Sequence, residues 1–146
     1  MNMKFSTLVI VAMLSLFVSC DKEDDIDEIF CNGMFQITGM TYNGIKTVKD
    51  VSEFYKQENT YRIKFNKQTF QGTLQAGSHI EGIWNADGTT HFFSMQFGSN
   101  TNVTNSNNAI QQKIYQILSG ARKYSGDSNV LKIHDDKDSF VELRRI

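Results

Sequence analysis

The chain has 146 residues, enough for one domain with a short appendage and too few for two ordinary domains. Hydrophobic residues make up 40% and charged residues 21%, a balance typical of folded proteins, and the absence of proline sets aside Pro-rich and collagen-like readings. Lys+Arg 15 against Asp+Glu 16 leaves a formal net charge of -1, without the basic footprint of a nucleic-acid binder, and two cysteines are too few for a disulfide scaffold.

At the N-terminus Lys4 precedes a run from Phe5 to Val18 that is apolar except for Ser6, Thr7 and Ser15. This is the layout of a secretory signal peptide, expected over residues 1–19. The run is shorter than the roughly 20 residues of a permanent transmembrane helix, and acid rather than base follows it. The segment Leu16-Phe17-Val18-Ser19-Cys20 resembles the lipobox of bacterial lipoproteins, with a small residue directly before the cysteine. The resemblance implies cleavage before Cys20 and lipidation of its sulfur, the alternative being ordinary secretory cleavage. Two or three acyl chains, each buried CH₂ contributing about 0.8 kcal/mol, would hold such a protein stably. The expected partner is therefore the membrane, reached through lipid on Cys20 and not through the fold.

Asp21 to Glu28 contains six acids and one base. Self-repulsion predicts a solvated, extended tether over residues 20–28. The run also resembles the acidic export signal that directs some Gram-negative lipoproteins to the outer face of the outer membrane, so the expected location is the cell envelope, at the outer membrane and on its surface. Residues 29–146 carry 13 Lys+Arg and 10 Asp+Glu, too small an excess to imply an anionic partner. With Cys20 acylated, Cys31 has no partner and reads as a small core residue.

From residue 29 onward strand patterns dominate. Met34 to Met40 opens with Phe35 and Ile37, and Tyr61, Ile63 and Phe65 alternate with Arg62, Lys64 and Asn66. Asn66-Lys67-Gln68 is short enough to turn that strand into the next, where Phe70, Gly72, Leu74 and Ala76 alternate with polar residues. His79 to Asn85 and Thr90 to Phe97 form a second hairpin across Ala86-Asp87-Gly88, and Leu131 and Ile133 face Val141 and Leu143 across Asp135 to Asp138. Two segments read as helical: a short one begun by the capping-box spacing of Asp50 and Glu53, with Val51, Phe54 and Tyr55 on one face, and Asn108 to Ala121. In the latter, Ile110, Ile114, Ile117, Leu118 and Ala121 make an apolar stripe, with Gly120 or Gly126 marking the exit. The expected fold is mainly β: a small antiparallel curled sheet or barrel of about seven strands with one packed amphipathic helix, forming a single domain over 29–146.

The pieces Phe35-Gln36-Ile37-Thr38-Gly39, Phe70-Gln71-Gly72 and Leu131-Lys132-Ile133, in this order of hairpins, polar loop, helix and final hairpin, resemble the META-domain and heat-shock lipoprotein group. The resemblance covers about residues 33–145 and implies an envelope-associated protein of loosely defined role. Gly77-Ser78-His79 stands where many members have a Gly-Cys-Asn loop. A lipocalin-like barrel is the alternative fold.

Catalytic motifs are missing: the chain has no HExxH, GxSxG, GxxxxGK[ST] or CxxC. His79, His91 and His134 lie on separate predicted strands and read as independent residues, so neither a metal nor a cofactor is expected. Cys31 with a histidine and an aspartate could be drawn as a thiol triad only if geometry brought them together. Asp135, Asp136 and Asp138 lack the glycine and terminal glutamate of a calcium loop and read as a solvated turn. Asn102-Val103-Thr104 fits the N-glycosylation pattern, an accident in a chain with a bacterial lipobox. Trp84 shares a strand face with Ile80 and Gly82, which makes it an interior anchor, or else a stacking platform with space beside Gly82 and hence a candidate ligand-binding residue. The expected function is a non-enzymatic binding or scaffolding lipoprotein with an unknown protein, peptide or glycan partner. The alternative is a lipocalin-like module holding a small apolar molecule or glycan in a cavity lined by Phe70, Phe93 and Phe97.

Overall fold

Inward and outward residues alternate along most of the chain, and a sheet buries such a pattern by curling over its apolar face. The computed structural model describes residues 23–31, 33–46, 54, 57–103 and 109–146. Within them are nine strands: β1 (Met34–Tyr42), β2 (Ile45–Lys46), β3 (Arg62–Phe65), β4 (Thr69–Thr73), β5 (His79–Ala86), β6 (Phe93–Phe97), β7 (Lys123–Gly126), β8 (Val130–His134) and β9 (Phe140–Arg145). Two helices accompany them, α1 (Ile26–Phe30) and α2 (Ala109–Ser119). All pairings are antiparallel, in the order β6-β5-β4-β3-β1-β9-β8-β7, with β2 turned back on β1.

The two ends of this sheet nearly meet. Phe93 N donates to Arg122 O at 3.1 Å and Tyr124 N to His91 O at 3.0 Å, a two-bond seam instead of a full ladder. The result is the expected mainly-β barrel with a packed helix, built from nine strands where the sequence pattern predicts about seven. The additional strands are β2, only two residues long, and β7, whose Lys-Tyr-Ser-Gly presents a single buried residue, Tyr124, and so no readable alternation.

Aspartates close three of the hairpins. Asp87 Oδ1 accepts from the amides of Thr89 and Thr90 at 2.8 and 2.9 Å, Asp127 Oδ1 from Asn129 and Val130 at 2.8 and 3.0 Å, and Asp135 Oδ1 from Lys137 and Ser139 at 2.8 and 3.0 Å. The amides hold the Asp87 and Asp127 carboxyls below their usual range.

Helix α2 packs on β6, β8 and β9, burying Ile114, Ile117 and Leu118 as its stripe predicts. Gln111 on the same helix is fully buried, and its Oε1 accepts from Gln75 N at 2.9 Å. Gly120 is the exit, its N donating to Gln116 O at 3.0 Å, while Gly126 ends β7. Of the short predicted helix begun at Asp50, only Phe54 falls within the described residues, and it is buried against Tyr61 with ring centroids 5.1 Å apart.

The expectation of an extended tether through Glu28, with the domain starting at residue 29, is corrected. Asp25 caps α1 by accepting from Glu28 N at 3.1 Å, and Asp27 and Glu28 sit in the first turn, where the helix dipole favours acid. Ile29 and Phe30 then enter the core. Burial of Phe30 outweighs the repulsion between acids that are largely solvated, so the folded unit includes Asp24 to Glu28.

Candidate functional site

The barrel interior is lined by aromatic side chains that touch one another. Phe30 lies 5.4 Å from Phe65, 4.9 Å from Trp84, 5.3 Å from Phe93 and 5.2 Å from Tyr124, centroid to centroid. Phe70 meets Phe97 at 5.3 Å, so the rings expected to line a cavity pack against neighbours instead. Trp84 is 7% exposed, and its Nε1 donates to Asn66 O at 2.7 Å. It is the interior anchor, and burial removes it as a stacking platform. Gly82 leaves no space beside it: a Cβ there would collide with the carbonyl oxygen of Gln96, and φ of +157° is a conformation that side chains rarely adopt.

At the seam the acidic segment is clasped to the barrel. Asp24 N donates to Gly88 O at 3.2 Å, and a Cβ on Gly88 would collide with the backbone of Asp24. Asp24 Oδ2 accepts from Tyr124 Oη at 2.8 Å and lies 3.2 Å from His91 Nε2. Burial and the adjoining carboxylate push the Tyr124 hydroxyl well above its ordinary pKa, keeping it a donor.

On the outside of the barrel, β1, β3 and β4 together form a groove of about 240 Å³ lined by Met34, Asn59, Arg62, Lys64, Gln71, Gly72, Thr73 and His79. Ile63 and Phe65 are fully buried, which turns Arg62 and Lys64 outward, opposite Thr73 and Gln71 of β4. Gln36 of β1 is 3% exposed, and its Nε2 faces the carbonyls of Thr60 and Tyr61 at 3.2 and 3.1 Å. That contact fixes the amide orientation, so Gln36 Oε1 receives Arg62 Nε at 3.0 Å, while Asn59 Oδ1 receives Arg62 Nη1 at 2.8 Å. Among the described residues neither Arg62 nor Lys64 has a carboxylate partner. Asn59 and Tyr61 flank this arrangement at φ of 62° and 53°, a costly region for a bulky side chain. Sequence reading misses this groove, because Gln36 and Arg62 become neighbours only when β1 pairs with β3; the outward alternation of Arg62 and Lys64 is its one readable sign.

The remaining sequence candidates do not converge. His79 opens β5 and bridges Asn102, whose own turn lies on the surface; Thr104 of that glycosylation pattern falls outside the described residues. His91 belongs to the clasp. His134 Nε2 lies 2.9 Å from Ser125 Oγ, but Asp135 is turned into its own hairpin and does not orient the ring. Burial first, then Lys123 and Lys132, push the His134 imidazole below its ordinary pKa. Cys31 is partly buried with Sγ 3.7 Å from Asp27 Oδ1, and burial together with that carboxylate raises its pKa and keeps it a thiol. Among the described residues no group of three His, Cys, Asp or Glu side chains is placed to hold a metal, and no helix is long and apolar enough to cross a membrane. Cys20 lies outside the described residues.

A search of curated proteins finds no match. Among solved structures, the chain is similar to the crystal structure of a DUF4847 family protein from Bacteroides vulgatus ATCC 8482, at 25% identity and a TM-score of 0.62, over 82% of this chain and 96% of that one. An NMR structure at 13% identity, with a TM-score of 0.53 over 82% of this chain and 94% of that one, shares the fold. The family model of the domain of unknown function DUF4847 matches residues 21–144, so its reach begins inside the acidic run, as does the folded unit. The chain belongs to the DUF4847 family.

Proposed function

We propose that this protein is a lipid-anchored envelope protein that acts by non-enzymatic binding, held to the membrane through Cys20 and offering the outer face of its barrel to a ligand. The observation that carries this reading is the packing of the interior: rings 4.9 to 5.4 Å apart around Phe30 occupy the space that a lipocalin-like module would keep for an apolar molecule. The groove around Arg62 is a concave surface with unused donors.

The anchor rests on the lipobox-like segment ending at Cys20. Asp24 is four positions after Cys20, and a fully extended chain spans at most about 3.6 Å per residue, so the seam would lie within roughly 14 Å of the lipidated residue. The barrel is then held close to the headgroups, its Asp87 to Phe92 turn on the membrane side and the tether reduced to Asp21, Lys22 and Glu23. Any acidic export signal would be read from that stretch or before folding, since Asp24, Asp25 and Asp27 have partners within the fold. Kinship with the META-domain and heat-shock lipoprotein group is a further part of the proposal, supported by three short pieces that fall on β1, β4 and β8.

The test is intact-mass analysis of the protein from native membranes, beside a Cys20→Ala variant. Acylation at Cys20, and release of the variant as a soluble folded domain, are expected. An unlipidated mass, or a variant that stays in the membrane, would overturn the anchor.

A further inference from the structure

We propose that the groove between β1, β3 and β4 binds a small organic anion, its carboxylate, sulfate or phosphate group seated between Arg62 and Lys64 and its neutral polar body lying along Gln71 and Thr73. This deepens the binding reading above and rests on that part of it; it does not depend on the anchor.

Arg62 is prepared for an oxyanion in a way that a surface arginine is not. A guanidinium has five N–H donors, and here one goes to Gln36 Oε1 and one to Asn59 Oδ1, both neutral acceptors that orient the fork without neutralising it. Three donors and the full positive charge are left for a ligand, and Arg presents such donors as a planar pair that matches an oxyanion. Gln36 acts as a positioning residue: it is buried, its own amide nitrogen is committed to backbone carbonyls, and its oxygen has a single direction available. Lys64 is two strand positions from Arg62 on the same face and supplies a second cation. Glu81 is set across Gln71 from Lys64, and one of its oxygens accepts from Asn100 N at 3.1 Å. The positive φ values at Asn59 and Tyr61 show that backbone strain is held on the loop that delivers Asn59 to Arg62. A volume of about 240 Å³ is enough for one sugar-sized molecule, and the amide and hydroxyl groups of Gln71 and Thr73 suit a hydroxyl-bearing body.

The experiment is a titration of the isotopically labelled full chain in detergent with glucose, glucuronate, glucose 6-phosphate and inorganic phosphate, followed by amide chemical shifts. Saturable shifts confined to Arg62, Lys64, Gln71 and Thr73 are expected with glucuronate or glucose 6-phosphate and none with glucose. The two sugar anions separate carboxylate from phosphate chemistry, and inorganic phosphate shows whether the ring contributes. Arg62→Lys keeps the charge but loses the planar fork and should weaken binding about tenfold, and Gln36→Leu should act in the same direction while Arg62 keeps its charge. The proposal is overturned if no anion shifts these residues at 20 mM (about the weakest affinity worth calling a site), if shifts spread equally to Arg122, Lys123 and Arg144, or if Arg62→Gln binds as well as the parent. Cys20→Ala should bind like the parent, so loss of the anchor and loss of the anion site are read separately.

Discussion

The inside and the outside of the β3–β4 hairpin are opposite in character. Inward, Ile63, Phe65 and Phe70 are at most 1% exposed, and Phe65 meets the rings of Phe30, Phe35 and Trp84. Outward, one residue away in sequence, Arg62 and Lys64 stand over a groove with neutral partners only. One alternating sequence thus builds a filled core and a polar, cationic recess on opposite faces of a single sheet, and any capacity to bind sits on the face that packing does not consume.

The comparison breaks most visibly on the inner face. Phe30→Ala should cost about 3–5 kcal/mol in urea unfolding, because it opens a cavity at the centre of the ring cluster and cuts α1 loose. A loss below 1 kcal/mol would show that α1 is an appendage after all. Trp84→Phe keeps a ring but leaves the Asn66 carbonyl without its donor, a cost of about 1–3 kcal/mol in the same measurement. At the seam, Tyr124→Phe removes one charge-assisted bond to Asp24 and should cost about 1.5–3 kcal/mol, with faster amide exchange at Asp24 as its local signature.

The pH dependence follows from four groups whose pKa folding shifts, Tyr124, His134, Asp87 and Asp127. Tyr124 has a folded pKa above its ordinary value of 10.0, so its contribution is fully present below pH 10 and is lost as the pH rises past it. His134 has a folded pKa below its ordinary 6.5, so its contribution is present above pH 6.5 and falls as the pH drops through that value. Asp87 and Asp127, depressed from 3.8, add a further loss below that pH. Thermal unfolding should therefore show a plateau between about pH 6.5 and 10, and His134→Gln should remove the step near its acidic edge. The smallest effect is expected on the outer face, where Lys64→Gln should leave stability within about 0.5 kcal/mol while weakening anion binding.

The β3–β4 and β5–β6 hairpins and α2 were legible because each carries its own local period: two for the strands, 3.6 for Ile114, Ile117 and Leu118. What stayed hidden depends on partners distant in sequence. Lys123 to Gly126 becomes a strand only beside Val130 to His134, and the folding of Asp24 to Glu28 depends on where Phe30 and Tyr124 lie in space. Charge counting treats the acidic run as repelling solvent-borne charge, whereas Asp25 serves as a helix cap and Asp24 as an acceptor for Tyr124. The groove was invisible for the same reason: Gln36 and Arg62 stand 26 positions apart until β1 and β3 pair.

Trp84 is the sole tryptophan and lies among the core rings, so it reports directly on whether the barrel has room inside. Titration of the folded protein with the uncharged apolar fluorophore N-phenyl-1-naphthylamine, monitored by energy transfer from Trp84, measures entry into the core. A filled barrel gives no saturable transfer at any pH on the stability plateau. Saturable one-to-one transfer with displacement by a fatty acid would contradict it and make the interior the binding site.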